Sequence, residues 1–154
     1  MKVENIEASQ APADLTIGVA VADFNQAITD RLLAGCLKSL ETVGVGRVRV
    51  LRVPGAWELS LAALALAEAG CQGVVAVGSV IKGDTDHYDV IVRESAAGLT
   101  RVALQTGIPV TNAVLAVHDY EQALERSEPG PGNKGAEAAA AVVDMAGKLR
   151  GLRS

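Results

Sequence analysis

The chain has 154 residues, 49% of them hydrophobic, with a formal net charge of −4 and a pI near 5.2. That length fits one domain with room for a core, and the mean hydropathy of +0.27 excludes a disordered chain. The charge balance offers no basic face for nucleic acid, and no apolar run reaches the roughly 18–20 residues of a membrane span.

Residues 1–14 form a polar arm without the apolar centre of a secretory signal, so a cytoplasmic chain with no membrane or nucleic-acid partner is expected. Residues 15–154 are expected to form a single domain. Thr16–Ala22 is a short β-branched apolar run and predicts a buried strand. Gln26–Val43 carries Ile28, Leu32, Leu33, Cys36, Leu37 and Leu40 at a helical period, ended by Gly44 and Gly46. Arg47–Val53 alternates as a second strand until Pro54-Gly55 breaks it. A helix is predicted over 57–69, closed by Gly70, and an apolar third strand over 73–79. A polar break, VIKGDTDHYD, then leads into a helix over 89–106. Val110–Val117 is a fourth strand, 120–126 a short helix, 127–133 (SEPGPGN) a loop, and 134–149 an alanine-rich helix. Cys36 and Cys71 lack metal-ligand spacing and read as buried free thiols.

Strands alternating with helices predict a parallel sheet covered on both faces. Right-handed crossovers leave few topologies. A flavodoxin-like three-layer α/β fold follows, with strand order 2-1-3-4. Ligands then bind beyond the carboxyl ends of the strands, at the switch point between strands 1 and 3. The chain has only four aromatic residues and two histidines. Phe24, Trp57, Tyr88, Tyr120, His87 and His118 all follow strand ends on that rim.

The polar break has two readings. Gly83 allows close backbone approach, the amides of Asp84 and Thr85 can donate to an anion, and His87 can shuttle a proton. Alternatively it is a helix-start loop, capped by Asp86 or Asp89, with His87 in solvent. Arg126 and Lys134 flank the SEPGPGN loop as cations for a phosphate, or as ordinary basic helix turns. Phe24 is a ring-stacking residue or a rim hydrophobe. Trp57 has the same two readings, and the amides of Ala56, Trp57 and Glu58 at a helix start can bind a polar ligand. There is no dinucleotide fingerprint, no Walker A motif and no metal motif. Ser79 lies near His87, but without G-x-S-x-G a hydrolase triad is weakly supported.

Four stretches, VADFNQAITDRLLAG, VPGAWELSLAA, AVGSVIKGDTDHYDVIVRESAAGLTRVALQTGIPV and EQALERSEPGPGNKGAEAA, together resemble the 6,7-dimethyl-8-ribityllumazine synthase family of riboflavin biosynthesis. The resemblance runs in order over nearly the whole chain. It implies condensation of 5-amino-6-(D-ribitylamino)uracil with 3,4-dihydroxy-2-butanone 4-phosphate, giving the lumazine, phosphate and water, with no cofactor and no metal. It implies that Phe24 would stack on the pyrimidine. Asn25 and the backbone of Ala56, Trp57 and Glu58 would hold the ribityl chain and ring. Val80 and Ile81 would read the pyrimidine edge through their backbone. Gly83, Asp84, Thr85 and Arg126 would hold phosphate, His87 would transfer protons, and Asn112 and Lys134 would stand in the pocket wall and at its edge. The chain departs from the family pattern at Asp23, Lys82 and Asn112, and in the loop carrying Pro129 and Pro131. The resemblance further implies a pentamer with pockets between neighbouring subunits, a 60-subunit shell, and riboflavin synthase as a partner. The competing expectation is a non-catalytic flavin- or lumazine-binding or shell-forming protein of the same fold.

Overall fold

A computed structural model describes residues 1–8 and 11–153. Of the expected arm, residues 1–8 form neither helix nor strand, Ser9 and Gln10 lie outside the described residues, and Pro12–Asp14 makes one 3-10 turn. Strands β1 (Thr16–Ala22), β2 (Arg47–Val53), β3 (Gly73–Ile81) and β4 (Val110–Val117) build one sheet, all parallel, in the order β2-β1-β3-β4. Helices α1 (Gln26–Val43), α2 (Leu59–Glu68), α3 (His87–Thr106), α4 (Tyr120–Ser127) and α5 (Lys134–Arg153) complete the domain. This is the expected flavodoxin-like fold, with helices on both faces.

The strands divide their side chains between two cores because successive residues point to opposite faces. Ile17, Val19 and Val21 of β1 and Val75 and Val77 of β3 meet α1 and α5 on one side. Ala20 and Ala22 of β1, with Val74 and Ala76 of β3, meet α2 and α3 on the other. Each fully buried Leu, Ile or Val contributes about 1.5–3 kcal/mol relative to exposure. Small residues on the second face let Leu59 and Leu66 of α2 seat close to the sheet. Gly44 ends α1 in the left-handed region, at φ 85°, and donates back to Glu41 and Leu40 carbonyls.

Several boundaries differ from the expectation: α5 runs to Arg153 rather than 149, α4 ends at Ser127 rather than 126 and α2 at Glu68 rather than 69, and three further differences bear on the site. The predicted 57–69 helix begins as a 3-10 turn, Ala56–Glu58, before α2 proper. β3 runs on to Ile81 because β4 continues alongside it, pairing Val80 with Ala116 and Ile81 with Val117. α3 starts at His87, two residues early, so His87 is its first residue and not part of a free loop. Among the described residues no helix is long and apolar enough to cross a membrane.

Candidate active site

The carboxyl ends of β1, β2 and β3 open into a cavity of about 790 Å³. The β1 end contributes Ala22 and Phe24, the turn after β2 contributes 54–58, and the β3 end contributes 79–81. Gly83, Thr85 and the first turns of α3, which add His87, Tyr88, Val90 and Ile91, complete the cavity's lining. Phe24, Trp57 and Tyr88 thus face one space, and the wall is mainly apolar. Phe24 is 71% exposed and Trp57 57% exposed. Aromatic faces held open in this way offer stacking area to a planar ring.

The backbone explains how these side chains are held there. Asp23 N–H donates to the Val53 carbonyl (2.8 Å) and Phe24 N–H to the Pro54 carbonyl (3.0 Å), tying the end of β1 to the end of β2. Asn25 then adopts the left-handed conformation, φ 62°, and its Nδ2 donates to the Ser79 carbonyl at 2.7 Å. Asn25 does not line the cavity. It fastens β1 to β3 beneath it. Arg52 bridges Asp23 (3.1 Å) and Asp30 (3.3 Å), so the aspartate preceding Phe24 is neutralised locally.

At the turn after β2, the Glu58 carboxylate accepts from Gly55 N–H at 3.0 Å, and Glu58 N–H donates to the Gly55 carbonyl at 3.2 Å. Glu58 is therefore engaged within its own turn, and the amides heading that turn are those of Ala56 and Trp57. At the start of α3, Asp86 occupies the cap position without a side-chain cap bond, and Asp89 lies in the first turn. The cap comes from Thr85, whose Oγ1 accepts from His87 N–H at 3.4 Å. Neither aspartate caps the helix as the sequence suggested. Asp84 is exposed and stands outside the cavity wall, while Gly83 and Thr85 belong to it. Ser79 Oγ is buried with no hydrogen-bond partner, so no Ser–His pair forms.

Asn112, Arg126 and Lys134 are elsewhere. They line a separate cavity of about 480 Å³ along β4, the edge strand of the sheet, between it and the start of α5. Asn112 Oδ1 accepts from the Val114 N–H at 2.8 Å, satisfying a donor on the strand that edges the sheet. Asn112 is five residues before Val117, the partner of Ile81, which places it about 16 Å down the strand from the rim. Arg126 lies on the last turn of α4, where its Nη1 donates to the Gln122 carbonyl at 3.1 Å, and Glu125 is 3.8 Å away. Lys134 opens α5 and pairs with Glu137 at 3.0 Å. His118 and Tyr120 follow β4 on the rim but line neither cavity. The SEPGPGN loop between Arg126 and Lys134 is closed by the Asn133 N–H to the Gly130 carbonyl (3.1 Å).

Sequence reasoning placed Tyr88 on the rim without a role and overlooked Ile91. Both follow from a helix that starts at His87, since α3 then turns its first residues toward the strand ends. The two thiols are buried and free, and burial pushes the Cys36 thiol up to about 12.

A doubly wound α/β domain with an aromatic-walled cavity at its strand ends belongs to the class of α/β proteins that take small-molecule ligands at the topological switch point. The model of one such family, 6,7-dimethyl-8-ribityllumazine synthase, matches residues 14–150. The chain belongs to that family, a group of transferases in riboflavin biosynthesis.

Proposed function

We propose that the chain condenses 5-amino-6-(D-ribitylamino)uracil with 3,4-dihydroxy-2-butanone 4-phosphate to form 6,7-dimethyl-8-ribityllumazine, releasing phosphate and water. The observation that carries this reading is the gathering of Phe24, Trp57 and His87 around one cavity of about 790 Å³, in a chain matched by the family along nearly its whole length.

In this reading Phe24 and Trp57 hold the pyrimidine by stacking, and the backbone of Val80 and Ile81 reads its polar edge. The amides of Ala56 and Trp57 hold the ribityl chain, with Asn25 and Glu58 keeping those turns in shape. Gly83 and Thr85 approach the phosphate, with Asp84 supplying its amide at the loop. The amine adds to the ketone carbonyl, water leaves, phosphate is eliminated, and the ring closes on the remaining carbonyl with loss of a second water. His87, at the mouth, moves the protons. No step needs a covalent bond to the protein, and orientation of two bound partners supplies much of the rate.

One chain does not complete this site, because Arg126, Lys134 and Asn112 line the second cavity. The reading therefore requires a neighbouring copy whose β4 edge and α4–α5 corner cover the first cavity and bring Arg126 to the phosphate. Heterologous contacts of this kind close into rings. A pentamer fits the family, and twelve pentamers in a shell, association with riboflavin synthase and a cytoplasmic location extend the same proposal.

The experiment is direct. Purified protein is mixed with both substrates, and lumazine fluorescence and phosphate release are followed above the uncatalysed background. Both rising together supports the proposal. Ring binding without phosphate release overturns it in favour of a non-catalytic binder.

A further inference from the structure

Asn133 is 1% exposed, although it closes a surface loop. Its side chain is fully used. Oδ1 accepts from Ala136 N–H at 3.0 Å, capping α5. Nδ2 donates to the Ser127 carbonyl at 2.9 Å and to the Arg31 carbonyl of α1 at 3.3 Å. Ser127 is fully buried, and its Oγ accepts from Arg31 Nε at 3.0 Å while donating to the Ala123 carbonyl at 2.8 Å. Arg31 Nη2 also reaches the Leu124 carbonyl at 3.1 Å.

The chain makes room for this amide. A Cβ on Gly35 of α1 would collide with Asn133 Oδ1, and one on Gly135 would collide with the Leu32 carbonyl. Two glycines thus let the head of α5 press against α1. Ser127 directly follows Arg126, and Asn133 directly precedes Lys134. The Asn133–Ser127 bond therefore fastens the two ends of the SEPGPGN loop, one residue inside each cation. Both cations line the same cavity.

We infer that Asn133 is a positioning residue that sets the spacing of Arg126 and Lys134 and thereby the affinity for the phosphate-bearing substrate. The inference rests on the proposed role of Arg126 at that phosphate. Asn133 need not touch a substrate. Its amide fixes where the two cations stand, and an exposed loop with two prolines would otherwise leave their separation unset.

The test uses steady-state kinetics on the assembled enzyme. Asn133→Ser keeps a capping oxygen but loses both amide donors. Gly35→Ala displaces the amide from the α1 side, touching neither cavity. Each should raise KM for the butanone phosphate about 10-fold, with kcat and KM for the ribitylaminouracil moving by less than about threefold. In an Arg126→Ala background, Asn133→Ser should add less than about twofold, because the two act through one contact. Val142→Ala, in the buried face of α5, is the control for lost stability. If it is matched in Tm and gives the same KM shift, the inference is overturned. It is also overturned if both substrates' KM values rise together, or if the Arg126 and Asn133 effects multiply. If Arg126→Ala itself leaves the phosphate substrate's KM unmoved, the underlying phosphate reading falls first, and the two failures are told apart.

Discussion

His87 is the first residue of α3 and lines the cavity mouth. In the proposed reaction, whose steps are additions and eliminations, it is the proton-transfer group. Replacing it should cost less than the ~10²–10⁴ of a demanding general acid–base step, because the proposed ring and phosphate contacts would still orient the reactants. His87→Ala is expected to lower kcat about 10-fold with both KM values nearly unchanged. Single-turnover lumazine formation checks this, and a loss beyond about 10³ would make proton transfer the main source of rate. Cys36 supplies a second residue-scale prediction, on stability. Its thiol stays protonated in the folded chain up to a pH of about 12, while an unfolded thiol ionises near 8.5. Between those values the unfolded state holds fewer protons. Stability is therefore fully present below about pH 8.5 and falls as pH rises toward 12, by up to about 1.4 kcal/mol per pH unit. Urea midpoints from pH 8.5 to 11 should fall less steeply in Cys36→Ala than in the parent. Equal slopes would mean that Cys36 does not contribute.

Among the elements, α4 links stability most closely to the site. It is only eight residues long, its Asp119 Oδ1 caps Gln122 N–H at 2.9 Å, and it carries Arg126 on its last turn. Asp119→Ala should cost about 1 kcal/mol, read as a lower Tm, and should weaken the phosphate substrate more than the ring substrate. Unchanged selectivity between the two substrates would show that the α4 cap does not reach Arg126. Much of this scale was legible in the sequence. Thr16–Ala22, Gln26–Val43, Arg47–Val53 and Val110–Val117 have the same bounds in the structure, because apolar period and Gly or Pro punctuation coincide there. The start of α3 was not legible, since DTDHYD is polar throughout and only the Thr85 cap marks where the helix begins. Nor was the division of the proposed site into two cavities. Strand order shows that β1, β2 and β3 share a rim, but Asn112 belongs to the edge of β4 and Arg126 to the corner beyond it, and no residue pattern signals which side of an edge strand a side chain will serve.

At the scale of the whole molecule, Trp57, Leu61, Val90 and Leu104 are exposed apolar residues on the α2 and α3 side. The outer edge of β4 carries the second cavity. The proposed reaction needs the strand-end cavity of one copy to meet the β4 edge of another. This gives a test that does not depend on knowing the final copy number. Phe24→Asp/His87→Ala damages only the strand-end cavity, and Arg126→Ala/Lys134→Ala damages only the edge cavity. Each variant alone should be nearly inactive. In a ring that joins unlike surfaces, mixed assemblies place an intact strand-end cavity of one subunit against an intact edge cavity of its neighbour. Random mixing at equal amounts makes about one quarter of such junctions intact. Co-expressed or refolded mixtures should therefore regain about a quarter of the parent's activity per site, while the same variants mixed without subunit exchange regain none. No recovery in assemblies shown by mass to contain both variants would mean that each chain builds its site alone. The site shared between copies would then be wrong, whereas an Arg126→Ala/Lys134→Ala variant that kept the parent's activity would mean that the two cavities serve separate purposes and that Arg126 has no place in the reaction.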